Sequence, residues 1–393
     1  MIVGLVLSKV PGYSETFFRS KIRGLTAKGY KVLVFAGSGE RRAFERAKVV
    51  KAFPVLSNPF LQILLVFVIL GWLLLSCPRR FVSLFIFQKR SGGSTWDALK
   101  TIYINGHILP FDLDWIHFGF ATMGIGRENV AKALNAKMAV SIRGFDISIY
   151  PLKHPGCFNL LWENVDKVHV ISDDLERKLR ETRFPDWKMI QKITPAIAFE
   201  NFFQKRECFH NGEERKVRIL SVGRLHWKKG YEYALQAMCQ LKASNIPFVF
   251  SIAGTGSELE RLKFAVYQLG LEEEVIFKGK LNHEEVAKEM READIYLQPS
   301  IQEGFCNAVL EAQAAGCFCI VSDAEGLSEN VLDGVTGRVF ERRDVNAMAE
   351  VILDVIRLSS ESRAKMVLAA QKRVQNNFSI DEQIRKFEHF YEK

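Results

Sequence analysis

Ile295-Tyr-Leu-Gln-Pro-Ser-Ile-Gln-Glu303-Gly-Phe-Cys-Asn-Ala-Val-Leu-Glu311-Ala-Gln-Ala-Ala-Gly-Cys317-Phe-Cys319-Ile-Val-Ser322 decides the fold class. Its apolar run at 295–298 reads as a strand, Gly304 loosens a turn, 307–315 reads as a helix, and the apolar run 318–322 reads as the next strand. Short apolar strands alternating with helices build parallel sheets from βαβ units. Two carboxylates eight residues apart mark the segment, Glu303 in the turn and Glu311 inside the helix. A helix start offers free N–H groups and positive dipole character, which suits a phosphate. Carboxylates that close to a phosphate need partners of their own, and sugar and ribose hydroxyls are suitable. The spacing therefore points to a nucleotide-sugar site.

The same alternation extends outward. Strands are expected at 218–222, 247–253 and 274–278, with helices at 231–242, 257–269 and 283–293. In the first half, strands are expected at 2–7, 31–35, 115–118, 138–142 and 167–172, with a helix over 14–28. A chain of 393 residues exceeds one core, so two domains are expected. The polar run 204–216 reads as the linker, giving domains 1–203 and 217–379, and a helix at 380–393 that packs back on the first domain. Lys plus Arg (54) exceeds Asp plus Glu (45), a net +9 that fits anionic partners. Without zinc-finger spacing, an RNP-like motif or an Arg-dense helix, nucleic acid is not expected among them. The seven cysteines are scattered, with no CxxC pair; Cys317 and Cys319 share one strand face as small buried side chains, and a reducing cytoplasm fits. The N-terminus reads as a first strand rather than a signal peptide.

One segment breaks the alternation. Residues 60–77 carry no charge; Arg79 and Arg80 follow, then an apolar run to 87, then Lys89 and Arg90. Three readings are open for 60–87: a helix or hairpin dipping into one leaflet with its cations on acidic lipid, a buried core helix, or a membrane span.

Chemistry-bearing residues fall at expected strand ends, where parallel sheets bind ligands. Gly223-Arg224-Leu-His-Trp-Lys-Lys229-Gly230 offers a donor fork and a mobile cation for a diphosphate, or else forms a solvated basic turn. Gly254 permits a close approach to a nucleotide, although a plain strand-to-helix turn explains it equally. Glu329, behind the Gly326 turn, lines the same crevice, or else Ser328 or Glu329 caps a helix. In the first half Gly12 permits backbone approach, Ser14 opens the first helix, and His117, Arg143 and Asp146 lie at strand ends beside glycines. His117 is read either as a catalytic residue or as a satisfied structural one.

Together these residues resemble retaining glycosyltransferase family 4 across nearly the whole chain. The resemblance is strongest over 217–340, where Gly223-Arg224…Lys229-Gly230, Ala-Asp-Ile-Tyr-Leu-Gln-Pro-Ser at 293–300, Glu303…Glu311 and Asp333-Gly-Val-Thr-Gly337 stand in family order. Ser14-Glu-Thr-Phe17, His117-Phe-Gly and Arg143-Gly-Phe-Asp146 resemble the branch that makes exopolysaccharides such as colanic acid and amylovoran. The resemblance implies an α/β fold of two facing Rossmann-like domains around a central cleft, the GT-B architecture. It implies a nucleotide-diphosphate sugar as donor, a lipid-linked glycan as acceptor, an anionic membrane surface as partner, and no cofactor or metal. Arg224 and Lys229 would neutralise the diphosphate, and Glu303 would meet the sugar. Gly304, Phe305, Cys306 and Asn307 would present amides, and Glu311 would meet the ribose. Ser14, Arg143 and Asp146 would lie on the acceptor side. Many relatives carry His where this chain has Arg143. Arg cannot act as a base at neutral pH, so the donor phosphate is expected to take the acceptor proton, or else His117 assists. The implied activity is sugar transfer in exopolysaccharide or lipopolysaccharide synthesis at the cytoplasmic face of the inner membrane. A soluble sugar transferase or epimerase with a buried 60–77 segment, and a non-catalytic sugar-binding scaffold, are the alternatives.

Overall fold

A computed structural model describes residues 1–11, 16–39, 44–204 and 215–392. Gly12, Ser14 and most of the expected linker lie outside the described residues. The chain forms two compact units, Met1–Ile193 with Gln383–Lys393, and Thr194–Glu382.

The first unit holds a seven-stranded sheet of β1 (Ile2–Lys9), β2 (Lys31–Ser38), β3 (Lys48–Lys51), β4 (Trp115–Phe118), β5 (Lys137–Ile142), β6 (Lys167–Val170) and β7 (Met189–Lys192). They run β3-β2-β1-β4-β5-β6-β7, all parallel. The second unit holds β8 (Val217–Val222), β9 (Phe248–Ala253), β10 (Val275–Gly279), β11 (Ile295–Gln298), β12 (Phe318–Ser322) and β13 (Arg338–Phe340), in the order β10-β9-β8-β11-β12-β13, also all parallel. Both sheets reverse strand order beside their first strand, between β1 and β4 and between β8 and β11. Open α/β sheets bind ligands at that switch point. The structure is α/β with two Rossmann-like units, and Phe318-Cys-Ile-Val-Ser322, a strand without charged residues, is buried throughout, as a sheet covered on both faces requires.

The unit boundary falls at Ile193, upstream of the expected linker. The physical reason is local: the amide of Ile197 donates to the Phe378 carbonyl (3.0 Å), and Phe199 and Phe202 are buried. The helix Ile380–Glu392 brings Phe387, Phe390 and Tyr391 into the core of the first unit. There Trp115 Nε1 and Lys167 Nζ donate to the carbonyls of Tyr391 (2.9 Å) and Phe390 (2.6 Å).

Between β3 and β4 the chain forms the helices Pro59–Ser76, Pro78–Arg90 and Thr95–Asn105. Asn58 caps the first, its Oδ1 accepting from the amides of Phe60 and Leu61, with Pro59 at the first helical position. Only Ile69 and Leu73 of that helix are buried, while Phe60, Phe67 and Leu75 are 82%, 70% and 86% exposed. This overturns the buried-core reading of 60–77. By length and composition the helix suffices to cross a membrane, with a mean hydropathy of 2.4. A single crossing is nevertheless ruled out by the sheet. β1 before the helix and β4 after it are paired, Val3 beside Trp115, and one sheet cannot lie on both sides of a bilayer. Of the flanking cations, Arg79, Lys89 and Arg90 are exposed, whereas Arg80 turns inward, donating to the Leu109 carbonyl (2.9 Å) and pairing with Asp112.

Candidate active site

At the switch point of the second unit, two loops are stitched together. The loop after β8 runs from Gly223 to Gly230 and is anchored by fully buried Leu225. The loop after β11 donates the amides of Ile301 (2.7 Å) and Gln302 (3.3 Å) to the carbonyl of Lys228. Gly230 adopts φ +66, and a Cβ there would lie 2.0 Å from the Pro299 carbonyl oxygen, so only glycine lets the loops approach this closely. The approach places Lys229 against Glu303 as an ion pair, each side chain about one-fifth exposed (19% and 18%). Burial on its own would draw the Lys229 ammonium down, but the Glu303 carboxylate outweighs it and holds the pKa above the ordinary lysine value. Arg224 is exposed and makes no side-chain bond among the described residues.

The glycines Gly223 and Gly254 act differently from expectation. Their amides complete the sheet, donating to the carbonyls of Ala253 (2.9 Å) and Gly279 (2.8 Å). A Cβ on Gly254 would lie 1.8 Å from the Gly223 carbonyl oxygen, so close strand-end packing accounts for that glycine without a ligand.

The segment after Glu303 is clamped from below. Asn330 accepts from the amide of Cys306 (3.0 Å) and donates to its carbonyl (3.0 Å). This corrects the expectation that Cys306 presents a free amide. Burial also pushes its thiol up to about 11, so it stays neutral and inert. Phe305 is buried with its ring against Phe378. The amides of Gly304, Phe305 and Asn307 have no acceptor among the described residues, and Asn307 opens the helix Asn307–Ala314. Glu311 lies one turn on, sharing a helix face with Asn307. Burial pushes its carboxyl up to about 7.

Glu329 lies in the short helix Leu327–Asn330, whose turn is tied to the site by the amide of Gly326 donating to the Glu303 carbonyl (3.0 Å). Gly326, not Ser328, occupies the cap position, and no side chain caps that helix; the Ser328 hydroxyl instead donates to the Glu325 carbonyl (3.3 Å). Arg373 holds the carbonyls of Glu329 (2.6 Å) and Asn330 (2.9 Å). Asn330 and Arg373 were not expected from sequence, because they act on segments distant along the chain.

In the first unit, the ring of His117 is wholly buried. Its Nε2 lies 2.8 Å from Ser141 Oγ, and its Nδ1 faces the Tyr391 hydroxyl (2.6 Å) and Lys21 Nζ (3.1 Å). Burial, then the neighbouring charges of Lys21, His169 and Arg143, hold its pKa well below the ordinary value. A ring closed off from solvent does not meet an acceptor, so the structural reading of His117 replaces the catalytic one. Asp146 is likewise internal, with its carboxylate accepting from the amides of Arg143 (3.0 Å), Gly144 (2.9 Å) and Ala121 (3.2 Å). It shapes the turn rather than facing a substrate, which corrects its acceptor-side assignment. Arg143 lies over the Phe17 ring (3.7 Å to the centroid) and donates from Nε to the Gly119 carbonyl (3.3 Å). Burial draws its pKa down to about 9, so it remains charged at pH 7.

A cavity of about 850 Å³ in the second unit lies at the opposite, amino-terminal end of the strands, near Arg215, Arg218 and Lys278. Arg215, Arg218 and Lys278 are paired there with Asp294, Glu292 and Glu289, so most of its positive charge is already balanced.

Residues 203–373 match the family described as Glycosyl transferases group 1. The chain is 29% identical over 301 residues to the amylovoran biosynthesis glycosyltransferase AmsK of Erwinia amylovora, covering 74% of this chain and 72% of AmsK. It is 26% identical over 301 residues to WcaL of Escherichia coli K12, named a putative colanic acid biosynthesis glycosyltransferase, covering 74% and 73%. Its fold matches that of Anabaena Alr3699/HepE, solved in complex with UDP and glucose, with TM-score 0.72 at 15% identity over 100% of this chain and 99% of that one. Residues 203–373 thus carry a glycosyl transferases group 1 domain, and the chain is similar to exopolysaccharide glycosyltransferases over about three quarters of its length, on a fold of the GT-B kind.

Proposed function

We propose that this glycosyltransferase moves a sugar, with retained anomeric configuration, from a nucleotide-diphosphate sugar to a lipid-linked glycan in exopolysaccharide or lipopolysaccharide assembly. One observation carries the donor half: the stitched loops that bring Arg224, Lys229 and Glu303 to the switch point of the second sheet. Arg224 and Lys229 neutralise the diphosphate, first in the ground state and more strongly as the leaving group gains charge. Glu303, released from Lys229, accepts from donor-sugar hydroxyls, and Glu311 does the same for the ribose. The amides of Gly304 and Asn307 supply further donors at the helix start. With His117 and Asp146 buried, the departing phosphate takes the acceptor proton. The two cations do the neutralising, so the reaction needs no metal.

The acceptor half is supported by the helix Pro59–Ser76, whose exposed apolar side chains suit one leaflet of the inner membrane on its cytoplasmic side. The exposed Arg79, Lys89 and Arg90 suit anionic headgroups there. The names of AmsK and WcaL support polysaccharide assembly as the setting.

The test is a screen of UDP-, GDP- and TDP-sugars with the purified full chain, with and without vesicles carrying lipid-linked glycan. Transfer from one donor class that requires the lipid-linked acceptor is expected. Equal transfer to a water-soluble glycan without vesicles would overturn the acceptor assignment, and failure of every donor would overturn the donor site.

A further inference from the structure

The Tyr231 hydroxyl is one of a few buried side-chain polar atoms of the second unit left without a hydrogen-bond partner among the described residues. Tyr231 opens the helix Tyr231–Ala243 and is 2% exposed, its ring part of the core between sheet and helices. Its hydroxyl has no hydrogen-bond partner among the described residues. A buried hydroxyl left unsatisfied is costly, so its retention points to a partner that arrives from outside. What lies above it is equally specific. A Cβ on Gly223 would lie 3.0 Å from this hydroxyl and 3.4 Å from Lys229 Cε. The missing side chain at 223 leaves an opening over the hydroxyl, and the Lys229 stem covers it while its ammonium is drawn to Glu303.

Building on the donor site proposed above, we infer that the Tyr231 hydroxyl is a diphosphate-binding donor gated by Lys229. An incoming diphosphate competes with Glu303 for the Lys229 ammonium. As the ammonium turns to the phosphate, its stem clears the opening at Gly223. The Tyr231 hydroxyl then donates to a phosphate oxygen. The orphaned group is satisfied only in the complex, and Glu303 is freed for the sugar in the same movement. Hydrogen bonds to a charged acceptor are the stronger kind, and this one adds to affinity because nothing in the free protein replaces it.

The experiment measures binding of inorganic pyrophosphate and of UDP to the full-length protein by calorimetry, for wild type, Tyr231→Phe, Gly223→Ala and the double variant. Tyr231→Phe should melt at the same temperature or higher, because it deletes only an unpaired hydroxyl, yet weaken both probes about tenfold. Gly223→Ala should weaken them similarly by filling the opening, and adding it to Tyr231→Phe should cost little more. Wild-type affinity in Tyr231→Phe would overturn the inference while leaving the donor site standing. Fully additive losses would also overturn it, since the opening and the hydroxyl would then act separately. Absence of wild-type binding to both probes would remove the donor site itself and this inference with it.

Discussion

Lys229 and Glu303, 74 residues apart in sequence, neutralise each other at the switch point of the second sheet. The pairing makes the two residues unequal under mutation. Glu303→Gln should free the ammonium and leave pyrophosphate affinity equal or higher, while sugar transfer falls at least tenfold. Lys229→Ala should lower both pyrophosphate affinity and kcat/KM, the latter on the order of 10²–10³. Calorimetry and steady-state kinetics on the two variants check the asymmetry, and parallel losses would refute it.

The Glu311 carboxyl, ordinarily near 4.5, is raised by burial to about 7. The folded chain therefore holds a proton that the unfolded chain releases. The stability from this group is fully present below pH 4.5 and is lost as pH rises to 7, a fall of about 1–3 kcal/mol. Glu311→Gln should abolish that fall. Urea melts monitoring the second unit between pH 5 and 8 read it directly.

The first unit should respond to pH with the opposite sign. His117, Ser141 and His169 form a chain ending at the Ile193 carbonyl, with Lys21 and Tyr391 at its other end and Arg143 nearby. Burial, before the neighbouring cations, holds both histidines well below 6.5. The unfolded chain binds protons there first, so stability is present above pH 6.5 and declines below it. The protection of β4, β5 and β6 amides against hydrogen exchange, taken relative to their unprotected rate at each pH, should fall from pH 7 to pH 5. Tyr391→Phe, which removes the hydroxyl facing His117, should cost about 1 kcal/mol at neutral pH.

On the helix Pro59–Ser76, Phe67→Glu and Leu75→Glu should each reduce binding to vesicles containing phosphatidylglycerol about tenfold without changing Tm. Leu73 is wholly buried, and a Cβ added at Gly106 would lie 2.6 Å from its Cδ1. Leu73→Glu should instead lower Tm by several degrees. Flotation and calorimetry distinguish the two classes, and unchanged flotation of the exposed-face variants would refute membrane docking.

Sequence conveyed the fold wherever apolar runs were dense. β4, β11 and β12 begin and end where their patterns do. The edge strands β3, β7 and β13 were missed, because Lys48-Val-Val-Lys51 and Met189-Ile-Gln-Lys192 carry too few apolar residues to stand out. The donor loops were legible because glycine and charge occur together at strand ends. Burial was not: Asp146 and His117 look like exposed polar groups in sequence, and only packing turned them inward. The Asn330 clamp on Cys306, spanning 24 residues, carries no local pattern.

Because Phe387, Phe390 and Tyr391 complete the core of the first unit, its assembly cannot finish when residue 193 leaves the ribosome. The second unit, contiguous in sequence, can close during synthesis while its predecessor still lacks a wall. The earlier-made half is thus the later-finished one, a window in which its unfilled hydrophobic slot beside Trp115 is open to chaperones.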